Sequence, residues 1–239
     1  TMIAAAALLG SSALALAADT KVGILMDITG PIASFIPPLQ NAANLAIKQV
    51  NDQGGLLDGK AVAAYGDTTG SAQGAVDAAG KLVNVENVAI IMGALMSGTT
   101  IAAAEAVAIP AGVVQISPTA TSPAMTGIKD NDLLYRIVPS DNYQGIVLAK
   151  MVLDEGIKKV AVTFVNNDYG VGIGQTFIDA YGGLLSPYGH TFAPAGAPGA
   201  SAAEIGAATA IELGPDGLFT AVAEPVRRGG GSAGVVVPR

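Results

Sequence analysis

Residues 88–123 read V-A-I-I-M-G-A-L-M-S-G-T-T-I-A-A-A-E-A-V-A-I-P-A-G-V-V-Q-I-S-P-T-A-T-S-P, and they carry the clearest indication of the fold class. Two short apolar runs within it, residues 88–92 and 113–116, are bounded by glycine and proline, which is typical of strands buried on both faces of a parallel sheet. The alanine-rich segment between them predicts a helix that begins at Ser97. The stretch therefore predicts a strand–helix–strand unit of an open α/β sheet.

Small hydroxyl residues follow each of the two strands. They are Ser97, Thr99 and Thr100 after the first strand, and Ser117, Thr119, Thr121 and Ser122 after the second. Both groups are expected at the carboxyl edge of the sheet, where open α/β folds bind ligands. Free N–H groups at the start of the Ser97 helix, with hydroxyls beside them, favour a carboxylate or another small anion. Ser97 and Thr121 can equally be cap and turn residues, and the pattern leaves both interpretations open.

The composition of the whole chain limits its function. Its 239 residues are 51% hydrophobic and 13% charged, so a folded core is expected, in one large domain or two small ones. The net charge of −7 argues against a nucleic-acid partner, which requires a basic face. No cysteine is present, which excludes disulfides, zinc–thiolate sites and thiol nucleophiles.

Residues 1–17 resemble a secretory signal peptide whose basic n-region is missing. They carry no charge and end in A-L-A at residues 15–17, so we expect cleavage after Ala17. The apolar run is shorter than the roughly 20 residues that span a bilayer, which disfavours a membrane anchor. No cysteine follows the cleavage site, which disfavours a lipid anchor. These features predict export to the periplasm as a soluble protein.

Strands and helices alternate along the rest of the chain with short connections, which predicts a parallel sheet between layers of helices. The predicted strands are residues 21–27, 60–67, 88–92, 113–116 and 159–165, and the predicted helices begin at about residues 39, 71, 97, 141 and 169. The first helix carries a buried stripe of Leu39, Ala42, Ala43, Ala46, Ile47 and Val50, and Gly54 is expected to be its left-handed C-terminal cap.

The chain divides into a signal peptide and three further regions. Residues 18–138 form a first α/β lobe, residues 133–138 cross over, and residues 139–192 begin a second lobe. Its first helix is expected to be capped by Asp141 and to bury Leu148, Met151 and Val152 on one face. Residues 193–239 are rich in alanine, glycine and proline, with only a helix at 201–213 and a strand at 218–223 expected. This tail is interpreted as a flexible linker, as translation out of frame or as a misassembled end.

Each stretch that approaches a nucleotide-binding or catalytic motif lacks a residue or a spacing that the motif requires. Residues 54–61, G-G-L-L-D-G-K-A, approach the phosphate-binding P-loop, but Ala61 replaces the required hydroxyl and the stretch lies between a helix and a strand. The glycines of residues 169–174 lack the spacing of a dinucleotide site. His190 is the only histidine, and no G-x-S-x-G elbow accompanies it.

Three aspartates, Asp27, Asp67 and Asp168, follow predicted strands at the ligand edge. They could pair as an acid and a base, although short polar side chains at such positions more often cap helices and turns. No metal-ligand spacing is present. The sequence therefore predicts a protein that is not an enzyme and that uses neither a metal nor a cofactor.

Six segments together resemble a known family. They are K-V-G-I-L-M-D-I-T-G-P at 21–31, N-A-A-N-L-A-I-K-Q-V-N-D-Q-G-G at 41–55, I-I-M-G-A-L-M-S-G-T-T at 90–100, I-S-P-T-A-T-S-P at 116–123, Y-R-I-V-P-S-D-N-Y-Q-G at 135–145 and N-D-Y-G-V-G at 167–172. From about residue 21 to 184 the sequence is similar to periplasmic substrate-binding proteins of branched-chain amino acid ABC transporters, of the leucine/isoleucine/valine-binding type. The resemblance fades in the tail, where family members continue the second lobe.

The resemblance implies a type I periplasmic-binding fold with two Rossmann-like parallel-sheet lobes, a hinge between them, and here an incomplete second lobe. Such lobes close on a ligand. It also implies a ligand site. Ser97 and Thr121 would hold the ligand's α-carboxylate through hydroxyl and N–H groups, with Gly98 allowing close approach. The other implied site residues are Ala120, whose carbonyl would take the ammonium, and the aromatic residues Phe35 of the first lobe and Tyr169 of the second.

The function implied by the resemblance is capture of an amino acid, branched-chain by family, and its delivery to an ABC permease and ATPase. No oligomer is indicated, so a monomer is expected. The alternative is a sensory module of the same fold for an amide, a urea-like compound or another small carboxylate.

Family members take an acidic residue for the ammonium from the rest of the second lobe, and Glu204, Glu212 and Glu224 match that position too poorly to be assigned. We therefore expect a truncated or frame-shifted reading frame.

Overall fold

A computed structural model of the protein describes residues 18–57, 59–157 and 160–185, and the backbone of three short strands at 208–213, 219–223 and 235–236. The strands are β1 (Thr20–Met26), β2 (Ala61–Asp67), β3 (Ile90–Met92), β4 (Val114–Ser117), β5 (Leu134–Arg136), β6 (Ala208–Leu213), β7 (Phe219–Ala223) and β8 (Val235–Val236). The helices are α1 (Ile36–Asp52), α2 (Ala72–Asn84), α3 (Ser97–Ala103), α4 (Asp141–Asp154) and α5 (Asp168–Leu185). The predicted signal peptide and His190 lie outside the described residues.

The described chain forms two compact units. The first comprises the described residues up to Leu95 together with Thr99–Pro118 and Asp130–Tyr135. The second comprises Met96–Gly98, Thr119–Lys129 and the described residues from Arg136 onward.

The five-stranded sheet has the order β2-β1-β3-β4-β5, and β1 pairs in parallel with both β2 and β3. Strand β3 pairs in parallel with β4. On one face Leu25 packs with Ala75, Ala79 and Leu82 of α2, and on the other Ile24 packs with Ile36 of α1. Because helices cover both faces, the strands can be apolar throughout. The predicted parallel α/β fold is confirmed.

Helix α1 begins at Ile36, three residues earlier than predicted. Pro37 and Pro38 occupy its first turn, where a missing N–H breaks no helical hydrogen bond. Gly54 has a φ of +115°, in agreement with the predicted left-handed residue after the helix. The predicted buried stripe was too wide, since Ala42 and Ala46 are exposed and only the Leu39, Ala43 and Ile47 side of the helix packs on the core.

Asn51, near the end of α1, joins that helix to β2 at the edge of the sheet. Its Oδ1 accepts from the N–H of Ala61 (2.8 Å), and its Nδ2 donates to the carbonyl of the same residue (2.9 Å). One side chain thereby satisfies both backbone groups of the first residue of β2, and this fixes the position of α1 against the strand.

In the second unit, α4 packs against α5 around Ala149, Phe177 and Tyr181. The rings of Phe177 and Tyr181 are stacked, with centroids 5.5 Å apart. The helices approach closely at Gly145, where an added Cβ would lie 2.6 Å from Cγ2 of Thr176. The prediction that Met151 is buried is wrong, because the packed face of α4 passes through Ala149 and leaves Met151 exposed.

The predicted strand at 159–165 is wrong for residues 160–165, which carry no strand in the structure, while Lys159 lies outside the described residues. A strand requires a ladder of hydrogen bonds to a neighbour, and no described segment pairs with this one. Phe164 and Val165 are 46% and 65% exposed. Helix α5 follows as predicted, with Oδ1 of Asn167 accepting from the N–H of Gly170 (2.9 Å).

The tail strands β6, β7 and β8 form a separate antiparallel sheet in that order. The predicted strand at 218–223 agrees with β7. The predicted helix at 201–213 is wrong for residues 208–213, because A-T-A-I-E-L contains the β-branched residues that favour strands. No helix among the described residues is both long and apolar enough to cross a bilayer.

Candidate ligand-binding site

Ser97 begins helix α3 and is buried. Its Oγ accepts a hydrogen bond from the N–H of Ser122 (3.3 Å), in the loop that follows β4. A hydroxyl that accepts in this way can still donate its own proton. Ser97 can therefore still donate to a further group, and a donor at this position suits an anionic partner.

The Thr121 hydroxyl, in contrast, is left as a hydrogen-bond acceptor toward a ligand. Its Oγ1 lies 2.7 Å from Oδ2 of Asp141, and the N–H of Asp141 donates to the carbonyl of Thr121 (2.9 Å). The Thr121 hydroxyl is the donor in this contact and gives its single proton to Asp141. The lone pairs left on Oγ1 make Thr121 an acceptor toward any further group. The resemblance implied that this hydroxyl holds the ligand's carboxylate, and that role stays a prediction.

Asp141 was predicted only as a helix cap, and that prediction is wrong. Ser140 is the N-cap of α4, where its Oγ accepts from the N–H of Asn142 (3.3 Å). Asp141 is the next residue, and its side chain is fully buried. Its Oδ1 has no hydrogen-bond partner among the described residues. A buried carboxylate oxygen without a donor is costly, so this atom is a candidate contact for a ligand.

Arg136, at the end of β5, holds the loop that carries Thr121. Its guanidinium donates to the carbonyls of Thr121 (3.1 Å) and Ser122 (2.8 Å) and to the Thr126 hydroxyl. Planar guanidinium groups fix several acceptors at once. Sequence reasoning missed this residue because no motif marks an arginine that binds backbone carbonyls.

Gly98 was predicted to allow the ligand to approach closely. An added Cβ at Gly98 would lie 2.5 Å from Oδ2 of Asp168, at the start of α5, so this carboxylate lies directly over the glycine. Tyr169, the next residue of α5, is 44% exposed and can contact a ligand. Ala120 is buried beside Thr121.

Five of the six predicted site residues thus belong to the second unit: Ser97, Gly98, Ala120, Thr121 and Tyr169. Phe35 belongs to the first unit, where it ends a short 3-10 turn before α1 and is 66% exposed.

Two cavities of about 350 Å³ lie in the second unit. One is lined by Ser122, Ala124, Asn166, Asn167, Asp168, Val171 and Gly172. The other is lined by Thr126, Arg136, Ser140, Asn142, Tyr143 and Ile146. Each is within the size range of pockets for small ligands.

Asp27 and Asp67 stabilise loops of the first unit and do not pair with each other. Asp27 is buried and accepts from the Thr68 hydroxyl (2.6 Å) and the Leu95 N–H (3.0 Å). Burial raises the pKa of Asp67. Hydrogen bonds from the N–H groups of Thr69, Thr29 and Ile28 and from the Thr29 hydroxyl together lower this pKa by more than burial raises it, so it lies below the ordinary value. Both bonding patterns agree with the structural interpretation preferred from sequence.

The stretch that approaches a P-loop forms a tight turn. Leu56 and Gly59 exchange hydrogen bonds between their N–H and carbonyl groups, at 2.8 and 2.9 Å. These N–H groups are therefore not directed at a phosphate. Within the described parts of the chain, no three His, Cys, Asp or Glu side chains are grouped as a metal site would require.

A family of known proteins matches most of the chain. The family described as periplasmic binding protein matches residues 19–226, and the chain belongs to it. This confirms the family inferred from the six segments and agrees with the parallel sheet of the first unit.

Individual relatives carry more specific names. The chain is 34% identical over 161 residues to the Leu/Ile/Val-binding protein BraC3 of Rhizobium johnstonii, covering 67% of this chain and 43% of that protein. It is 32% identical to the leucine-, isoleucine-, valine-, threonine- and alanine-binding protein of Pseudomonas aeruginosa, covering 72% of this chain and 46% of the relative. These relatives are named for binding and not for catalysis. The chain spans less than half the length of either.

A solved structure supports the same assignment. The branched-chain amino acid transporter substrate-binding protein LivJ of Streptococcus pneumoniae, in complex with isoleucine, matches with a TM-score of 0.62 and 30% identity. The match covers 69% of this chain and 47% of LivJ.

Proposed function

We propose that this protein is the periplasmic binding component of an ABC importer and that it captures an α-amino acid, in the first instance leucine, isoleucine or valine. The observation that carries the proposal is the opposite polarity of two hydroxyls within one unit. Ser97 accepts from the Ser122 N–H and can still donate its proton, whereas Thr121 has donated its proton to Asp141 and can only accept. An α-amino acid carries an acceptor, its carboxylate, and a donor, its ammonium, on one carbon atom, and therefore matches this pair.

The residues divide between the two ends of the ligand. The Ser97 hydroxyl and N–H groups at the start of α3 would bind the carboxylate. Oγ1 of Thr121 and the carbonyl of Ala120 would accept from the ammonium, so the Thr121 hydroxyl takes a different role from the one that the resemblance implied. Tyr169, which is substantially exposed, would contact the ligand's side chain.

The names of the relatives support the ligand class. BraC3 is named for leucine, isoleucine and valine, and LivJ is in complex with isoleucine. By family, the ligand would be passed to a permease driven by an ATPase, and we propose that the protein acts as a periplasmic monomer. Residues 1–17 would direct its export.

Isothermal titration of the chain from residue 18 onward tests this function. We expect saturable binding of leucine, isoleucine or valine. Replacing Ser97 with alanine removes a hydrogen bond to a charged group, worth about 1.5–3 kcal/mol, so the Kd should rise about tenfold or more. Failure of a folded chain to bind any amino acid would reject the proposal.

Ser71→Ala is the matched control for Ser97→Ala. Ser71 also precedes a helix, α2, where its Oγ accepts from the N–H of Gly74 (3.0 Å), but it belongs to the first unit and has no predicted ligand role. We expect Ser71→Ala to lower stability without changing the Kd. An unchanged Kd in Ser97→Ala would remove Ser97 from the site while leaving amino acid binding intact.

A further inference from the structure

We propose that Asp141 is the residue that makes the site select α-amino acids over 2-hydroxy and 2-keto acids of the same shape. It would do so by orienting the Thr121 hydroxyl and by offering a second acceptor itself. This inference rests on the proposed function, and it assigns the ligand's charge class to a residue that the family resemblance did not bring into the site.

Among the described residues, the Asp141 carboxylate is hydrogen-bonded only to the Thr121 hydroxyl. The residue is fully buried, and the Thr121 hydroxyl is the donor to its Oδ2. Arg136, at the end of β5, directs its guanidinium to the carbonyls of Thr121 and Ser122 and to the Thr126 hydroxyl. Asp141 forms no ion pair within the described parts of the chain. A buried carboxylate in this situation requires a donor or a cation.

The position of Asp141 in the first turn of α4 explains only part of this arrangement. A carboxylate near a helix N-terminus is stabilised by the helix dipole. The dipole favours the charge but supplies no hydrogen bond to Oδ1, and the exposed N-terminal turn normally offers solvent to such a side chain. Complete burial with one oxygen unpartnered is therefore not explained by helix stability alone.

The acceptors on Thr121 and Asp141 match an ammonium group better than a hydroxyl or a ketone. Once Thr121 has donated to Asp141, Oγ1 of Thr121 and Oδ1 of Asp141 are both acceptors. An ammonium group brings three donors and a positive charge, a hydroxyl brings one donor, and a ketone brings none. Sites built to bond a donor reject analogues that lack it, because their polar groups are left unpaired.

The test uses three ligands with the same carbon skeleton, which are L-leucine, L-2-hydroxy-4-methylpentanoate and 4-methyl-2-oxopentanoate. Titration of the wild-type chain should give a Kd for leucine at least about thirtyfold lower than for either analogue. Equal affinities would overturn the inference while leaving ligand binding established. Absence of binding by all three would overturn the proposed function as well.

Asp141→Asn then assigns the selectivity to a residue. The amide keeps the shape but removes the charge, so leucine should lose on the order of thirtyfold in affinity while the hydroxy acid keeps its Kd within about threefold. An equal loss for both ligands would indicate a structural role and overturn the inference. Asp154→Asn is the matched control, since it removes an exposed aspartate from the other end of α4, where Asp154 pairs with Lys150.

A second pair of variants keeps the test decisive if Asp141→Asn does not fold. Thr121→Val removes the hydroxyl at nearly constant shape and should cost leucine more affinity than it costs the keto acid. Thr121→Ser retains the hydroxyl and should restore the preference for leucine. A Thr121→Val protein that still prefers leucine by the wild-type ratio would overturn the inference.

Discussion

Strand β1 and residues 160–165 have similar apolar sequences but different environments. Strand β1 contains V-G-I-L-M with four buried apolar side chains, Val22, Ile24, Leu25 and Met26. The segment V-A-V-T-F-V at 160–165 has no ladder partner within the described chain and leaves Phe164 and Val165 exposed. An apolar, β-branched sequence therefore specifies a strand only where neighbouring strands and covering helices are present.

The largest expected difference between the two regions is in the stability lost when one side chain in each is truncated to alanine. Leu25→Ala removes a fully buried side chain between α2 and the sheet, and we expect it to lower the free energy of unfolding by about 2–5 kcal/mol. Phe164→Ala removes a larger but half-exposed side chain, and we expect a loss of about 1 kcal/mol or less. Urea unfolding followed by circular dichroism measures both. Equal losses would mean that residues 160–165 are as well packed in solution as β1.

An intermediate effect is expected at the contact between α4 and α5. In Gly145→Ala the new Cβ would lie 2.6 Å from Cγ2 of Thr176 and 2.8 Å from the N atom of Phe177, so the helices must separate. We expect a loss of about 1–3 kcal/mol in the same unfolding experiment. Gly183→Ala is the matched control, because no atom lies within 4 Å of its added Cβ and alanine favours a helix. If both variants are more stable than wild type, the helices do not approach at Gly145.

The smallest effect is expected at Asp67 and depends on pH. Its pKa is lower in the folded protein than in the unfolded chain, so its hydrogen bonds add stability above a pH of about 4. This contribution is lost as the pH falls through the lower, folded pKa. Wild type should therefore be more stable than Asp67→Asn near neutral pH, and the difference should shrink below about pH 4. A difference in unfolding free energy that stays constant from pH 7 to pH 3 would contradict this assignment.

The first unit could be predicted from sequence because its signals are local. Buried strands, the cap at Ser71 and the glycine at residue 54 each follow from neighbouring residues. The Ser97 and Thr121 segments also carry a local signal, because hydroxyl groups after parallel strands are a local pattern.

The polarity of the site could not be predicted from sequence. It depends on contacts between residues far apart in the chain, such as Thr121 with Asp141 and Arg136 with Ser122. A sequence shows that a hydroxyl is present but does not show to which partner its proton is donated. The same limit explains residues 160–165, whose composition predicts a strand while the ladder partner is a property of the whole fold.

The amide of Asn51 has a consequence for association between molecules. Strand β2 is the outer strand of the five-stranded sheet, and unpaired backbone groups on such a strand attract strands of other chains. By bonding both the N–H and the carbonyl of Ala61, Asn51 blocks this edge at the end where β2 begins. The side chain therefore removes one pair of backbone groups from the edge to which a strand of another molecule could bind.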